Sequence, residues 1–455
     1  MSTILLIFVL ALLLTISVGA MKRPVWGLTF VVLMYAFEQS LQGAVPIFRA
    51  QPALANYWTA VVVAISAYTA ILRQERPFVG YFSGAWMLSV IIFAWAAASL
   101  LWTPSATARG MTTDGIPYFI LFLILAPMLV DSTEDLRSFV LLMMWLGTLV
   151  AFSIIANPEF NIESGRLGLQ ISFKVRSSPL AMGELGGALV ILAALYNAPT
   201  RVALVSVLRL AALVFGTILV LYSGSRGQLI FAALIAIAFF PASRRIKSVF
   251  SFFFTTVGLV LIAASVILLA RLVFRSEGGM VESRWNTELL AQGTEVRREN
   301  ALDLLAAFAR NPTAWIFGLG WNAFSFYTKA STEPYSHAIL LDILCELGIP
   351  AFVAMLAIIW WAAQAAIRLF RSVAESPADR SAVTSFIALA AYQVLLSNKQ
   401  GMLWAAGPLF LHLLVLIRID QRNAVLGYTA LPGGNADDAE TPPNADANEG
   451  FAAST

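Results

Sequence analysis

The chain is predicted to be an all-α, polytopic bundle of about 12–13 transmembrane helices with a large, partly helical periplasmic loop. Three observations predict this. Composition is the first: 59% of residues are hydrophobic and 12% charged, against about 25% charged in soluble domains, and mean hydropathy is +0.79. Apolar runs of the length that crosses a bilayer, roughly 20 residues, recur along the chain. Lysine and arginine, finally, fall unevenly on alternate connections between those runs.

In order, the runs occupy residues 3–20, 25–41, 54–72, 80–102, 115–131, 136–156, 180–197, 203–222, 227–241, 249–270, 338–368, 381–397 and 403–418. The run at 227–241 is short. The one at 338–368 is long, so its end near Ser336 is expected to be bent or partly submerged. No basic segment precedes the first run, and Lys22-Arg23 follow it. That order suits a retained helix with an external N-terminus rather than a cleaved signal peptide. The cytoplasmic connections then carry Lys22, Arg23, Arg73, Arg76, Arg137, Arg201, Arg244, Arg245, Lys247, Arg368, Arg371, Arg380, Arg418 and Arg422. Short external connections carry only Arg49, Arg109, Arg226 and Lys399, which is the positive-inside distribution. A net charge of +3 thus reports loops facing the cytoplasm and no nucleic-acid partner.

Residues 1–422 form the multi-span membrane domain on this reading, and 423–455, rich in Ala, Asn, Pro and Asp, a disordered cytoplasmic tail. Two external loops are long. The first, 157–179, carries Arg166, Lys174 and Arg176; the second, 271–336, carries Arg297, Arg298 and other arginines balanced by acids. Within the second, 295–310 reads as an amphipathic helix with Leu302, Leu305 and Ala309 on one face and Leu304 and Phe308 beside it, ended by Asn311-Pro312. Such a helix can rest on the outer membrane–water boundary.

Chemistry concentrates at few positions. Arg226 follows Ser223-Gly224-Ser225 and precedes Gly227 at a junction of two apolar runs. Exposed N–H groups, the positive end of a helix and a bidentate guanidinium all favour a phosphate there; snorkelling to the headgroups is the alternative. Arg297 and Arg298 lead the amphipathic helix about 100° apart, so one of them faces the membrane side. His337, in Tyr335-Ser336-His337-Ala338, suits proton abstraction from a hydroxyl, though a lone histidine at a helix start is more often interfacial. His412 reads as packing. One cysteine and two histidines build no zinc site of the usual kinds. Gly318-Leu319-Gly320 is too short for a nucleotide loop, and no phosphate-loop or dinucleotide fingerprint occurs.

Three stretches together resemble the O-antigen ligase and polymerase superfamily of bacterial inner-membrane glycosyltransferases. They are Ser223-Gly224-Ser225-Arg226-Gly227; Arg297 followed by Asn311-Pro312 and Phe317-Gly318-Leu319-Gly320; and His337 leading Leu340-Leu341-Asp342-Ile343-Leu344-Cys345-Glu346-Leu347-Gly348. The resemblance spans residues 180–370. It departs at Ala338, where the family usually has Asn, and at Ala301, where an aromatic residue is common.

That resemblance implies a glycan donor on undecaprenyl diphosphate and an acceptor hydroxyl on a glycan, a lipid A core or a protein, with neither cofactor nor metal. By it Arg226 and Arg297 would hold the diphosphate, His337 would be the base, and Arg298, Lys174, Arg176 and Lys399 would guide phosphate or sugar. A transporter or flippase for an anionic lipid-linked glycan is the competing expectation. It calls for charges at mid-membrane in interrupted helices.

Overall fold

The computed structural model describes residues 3–74, 76–163, 166–169, 178–197, 203–244, 287–328 and 336–430, with isolated positions between 248 and 268. The expected span at 249–270 falls largely outside the described residues, and Lys174 and Arg176 fall wholly outside them. What is described is an all-α bundle. Its helices are α1 (Thr3–Lys22), α2 (Pro24–Ala44), α3 (Pro46–Ala50), α4 (Ala53–Arg73), α5 (Gly84–Ala98), α6 (Ala108–Phe119), α7 (Thr133–Ile155), α8 (Pro179–Leu195), α9 (Ala203–Tyr222) and α10 (Arg226–Arg244). After the largest break come α11 (Thr287–Arg310), α12 (Ala314–Phe317), α13 (Phe324–Tyr327), α14 (Ile339–Ser372), α15 (Pro377–Gln400) and α16 (Gly407–Ala430). Among the described residues, nine helices are long and apolar enough to cross a membrane. Large apolar side chains such as Ile4, Leu14, Tyr68, Leu72, Leu210 and Trp360 point outward, as a lipid-facing surface requires.

Local chemistry sets the helix ends. Pro24, Pro179 and Pro377 open α2, α8 and α15, where their missing N–H costs nothing. Ser83, Ser132 and Ser376 cap α5, α7 and α15 by accepting from the N–H of Trp86, Asp135 and Asp379. Pro117 lies inside α6, and the helix widens into a π turn over Ile120–Leu125 before tightening to Leu129, the usual accommodation of a lost ladder bond. Helices α8 and α9 cross at Gly186 and Gly216. A Cβ at Gly186 would stand 2.6 Å from the Gly216 oxygen, so only small residues let these backbones meet. The centre of the bundle is α15: 72% of its apolar stretch is buried, more than in any other candidate span.

Three features differ from expectation. A β-hairpin, β1 (Phe160–Glu163) paired antiparallel with β2 (Arg166–Leu169), sits in the first long loop. The amphipathic helix begins earlier, at Thr287, and it buries Asn300, Leu304 and Phe308 while Leu302 and Leu305 are exposed. The reason is that its inner face packs on Ala314, Leu319, Phe324 and Cys345, leaving the other apolar stripe outward. Helix α16 runs to Ala430, into the stretch 423–455 expected to be a disordered tail. Residues 431–455 lie outside the described residues. The bend expected in the long run is found: α14 breaks at Gly348, whose φ is 89°.

Candidate functional site

The two ends of the bundle are chemically distinct. At one end, arginines clamp helix termini: Arg73 donates to Lys22 O, Arg209 to Ala193 O, Arg380 to Ala242 O, and Arg418 to Pro127 O. The opposite end gathers the candidate residues. There Arg49 pairs with Glu159 at 3.2 Å, which fastens α3 to the segment leading into the hairpin.

The α9–α10 junction is built by its own backbone. Ser223 N donates to Leu219 O at 2.9 Å and Gly224 N to Leu221 O at 3.0 Å, with Gly224 at φ 65°. That left-handed conformation closes a helix and favours glycine. Ser225 N then donates to Ser223 Oγ (3.2 Å), and Gln228 N to Ser225 O (3.1 Å). Arg226 is therefore the first residue of α10, at the positive end of its dipole. Buried Gln228 anchors the junction by donating from Nε2 to Leu180 O at 2.8 Å and to Gln400 Oε1 at 3.3 Å.

Lys399, at the end of α15, is where the candidates converge. Its Nζ lies 3.4 Å from Ser225 Oγ. It crosses directly over Gly227, where a Cβ would stand 2.4–2.6 Å from the lysine's Cδ, Cε and Nζ. The guanidiniums of Arg297, Arg166 and Arg226 all act electrostatically on its ammonium. Beside it, Asn398 Oδ1 accepts from Leu340 N at 3.4 Å, which brings the start of α14 and the preceding His337 to the same end.

His337 takes φ 68°, a left-handed conformation uncommon for a residue with a side chain. The turn holding it is fixed on both sides. Ser336 N donates to Asp342 Oδ1 (3.4 Å), and Ala338 N to Ser336 Oγ (3.1 Å). The helix proper starts at Ile339 with Ala338 as its cap, so His337 precedes it.

Gly318-Leu319-Gly320 has a structural task. Leu319 N and Gly320 N donate to Cys345 O and Glu346 O, both at 2.9 Å. A Cβ at Gly318 would collide with Glu346 O, and one at Gly348 would stand 2.5 Å from Ile316 O. Glu346 Oε2 and Oε1 accept from Asn322 N and Phe324 N at 3.0 Å. These contacts lock α11–α13 to the first part of α14.

Arg297 and Arg298 are both exposed and differ in their partners. Arg298 pairs with Glu295 at 3.2 Å on an exposed face, whereas Arg297 is the one of the pair that acts on Lys399. Arg166 was the residue that sequence reasoning underweighted. Its signal was the alternation of Phe160, Ile162, Leu167 and Leu169 about Ser164-Gly165, a hairpin pattern. His412 is buried, with Nδ1 2.7 Å from Pro408 O and its ring against Phe386, which is packing. Among the described residues, no group of three or more His, Cys, Asp or Glu is arranged to hold a metal ion.

The geometry thus unites, at one end of the bundle, an arginine at a helix N-terminus, three further cations and the turn carrying a histidine in a left-handed conformation. Such a place can hold a polyanion and can accept a proton beside it. No protein-family model matches the chain, and no curated protein matches it.

Proposed function

We propose that the chain is a multi-pass glycosyltransferase of the bacterial inner membrane, of the O-antigen ligase or polymerase type. It transfers a glycan from undecaprenyl diphosphate to an acceptor hydroxyl on a glycan, a lipid A core or a protein. The site end faces the periplasm, as do the N-terminus and the loop 271–336, and the arginine-clamped end and the C-terminus face the cytoplasm. One observation carries the reading: the Lys399 ammonium lies over Gly227 and 3.4 Å from Ser225 Oγ, the two neighbours of Arg226, with the guanidiniums of Arg166, Arg226 and Arg297 all within its electrostatic reach. Like charges raise one another's free energy, and a diphosphate turns that repulsion into binding.

The reaction divides naturally among these groups. The acceptor oxygen attacks the anomeric carbon as the bond from that carbon to the diphosphate oxygen breaks, which inverts the carbon. Undecaprenyl diphosphate leaves with both electrons, and Arg226, Arg297 and Lys399 stabilise the charge it gains. His337 takes the hydroxyl proton. The outward stripe of Leu302 and Leu305 on α11 lets that helix lie against the outer leaflet beside the lipid donor.

Purified protein in sealed proteoliposomes, mixed with lipid-linked donor and candidate acceptors, tests the reading. Wild type is expected to release undecaprenyl diphosphate and form linked glycan. Movement of intact donor across the bilayer without product would replace the proposal with a transporter. His337→Ala is expected to slow transfer about a hundredfold or more with donor binding retained. Arg297→Ala should lose activity and Arg298→Ala should keep it; the reverse pattern would overturn the assignment within that pair.

Gly227→Ala gives a finer probe. The atoms nearest the new methyl are Cδ, Cε and Nζ of Lys399, the far end of a flexible side chain, so the bundle is expected to fold and the ammonium to be displaced. Loss of one charge-assisted contact predicts roughly tenfold weaker binding of undecaprenyl diphosphate at an unchanged melting temperature. Unchanged affinity would remove Lys399 from the phosphate site.

A further inference from the structure

We propose that a cavity beside this cation cluster is a sugar-binding subsite, occupied by a hydroxyl-rich ring of the donor or of the acceptor glycan. The inference rests on the glycosyl-transfer reading and specifies where the sugar sits. The cavity measures about 410 Å³, within the usual size of small-molecule sites. Glu38, Gln39, Gln42, Glu184, Gln393 and Gln400 supply its polar wall. Gln400 follows Lys399 and receives the Gln228 amide, so cavity and cations share a boundary.

The hydrogen-bond inventory decides what fits. Several amide donors of this wall are engaged inside the protein. Gln39 Nε2 donates to Ser178 O at 3.0 Å and Tyr35 O at 3.3 Å. Gln42 Nε2 donates to Glu38 Oε1 (2.8 Å), and Gln393 Nε2 to Glu184 Oε1. Because carbonyl oxygens cannot donate, Ser178 O and Tyr35 O fix which end of the Gln39 amide is nitrogen. With both of its N–H groups engaged, Gln39 has only its oxygen left. Gln39 Oε1 is buried, on a side chain 5% exposed, and accepts no hydrogen bond among the described residues. A buried acceptor left empty costs about 1–3 kcal/mol, so the wall calls for a ligand that donates.

Two ligand classes satisfy many oxygens at once, a cation and a polyol. The cations gathered at Lys399 disfavour the first. A sugar ring meets both conditions: its hydroxyls donate to the amide and carboxylate oxygens, and its C–H faces lie against the apolar part of the wall, Leu396 and Pro408.

Binding to protein in nanodiscs provides the test, with three probes: undecaprenyl diphosphate, the same lipid carrying one N-acetylhexosamine, and soluble methyl glycosides. Gln39→Leu removes the empty acceptor. Ala405→Trp fills the mouth of the cavity from an exposed lining position without touching the amide network, which covers the case that the first variant misfolds. If the donor sugar occupies the cavity, wild type binds the glycosylated lipid about tenfold tighter than the bare one. The variants then erase that margin and leave bare-lipid affinity intact. If the acceptor sugar occupies it, the margin is absent in wild type, and methyl glycosides bind wild type but not the variants. Sugar binding that is absent, or equal in wild type and both variants, overturns the inference. Failure of wild type to bind undecaprenyl diphosphate at all strikes instead at the glycosyl-transfer reading.

Discussion

Arg226→Ala is expected to lower glycan transfer by about a hundredfold to a thousandfold, the usual consequence of removing one fixed donor to a developing charge. The protein should still insert and purify as wild type does. The anchors of the junction lie in other residues: Gly224 closes α9, and Gln228 holds α10 to Leu180 and Gln400. Tyr392 Oη adds a 3.4 Å contact to Gln228 O. Arg226→Lys keeps the charge but loses the planar fork, so its activity should fall between wild type and alanine. The measurement is a single-turnover rate of undecaprenyl diphosphate release at saturating donor, with Arg298→Ala as the matched control on an exposed, locally paired arginine. Equal rates for Arg226→Ala and wild type would take the arginine out of the chemistry and leave it a headgroup anchor.

Much of this was legible in the sequence because the bilayer demands runs of one length. The helices from α1 to α10 follow the apolar runs closely, and their boundaries fall at prolines, glycines and serines with known end preferences. The bend in α14 was readable from excess length. Arg226 could be found because a charge between two closely spaced apolar runs is rare. The choice between Arg297 and Arg298 could not be made, since neighbouring positions differ by about 100° around a helix and only the tertiary partner selects one. The buried face of α11 was hidden for the same reason: α12–α14 cover Leu304 and Phe308 rather than Leu302 and Leu305. The cavity was illegible because α2, α8 and α15 contribute to it from far apart in sequence. Arg418 was misread in kind. It looked like a loop charge marking the cytoplasmic side, yet α16 continues past it to Ala430 and it is 1% exposed.

That burial makes Arg418→Met the substitution with the largest expected loss of stability. Arg418 Nη1 donates to Pro127 O, and Nη2 donates to Pro77 O at 2.9 Å and Gln74 Oε1 at 3.1 Å. One guanidinium therefore satisfies the end of α6 and the turn after α4 together. The turn is fitted to α16 from its other side as well: Gly80 has φ 72°, and a Cβ there would stand 2.6 Å from Arg418 O. Methionine matches the length and packs in apolar surroundings, but it leaves buried carbonyls without donors, at about 1–3 kcal/mol each. Unfolding by SDS titration in mixed micelles should show a clearly lower midpoint for Arg418→Met. A smaller loss is expected for Arg422→Met, whose partners Arg76 O and Asp131 lie nearer the surface. Arg418→Lys should recover only part of the stability, because an ammonium lacks the fork that spans three acceptors. Molecules that remain folded should keep their transfer rate, since this clamp lies at the end of the bundle opposite Lys399. A midpoint equal to wild type would mean that water, not Arg418, satisfies the carbonyls of Pro77 and Pro127.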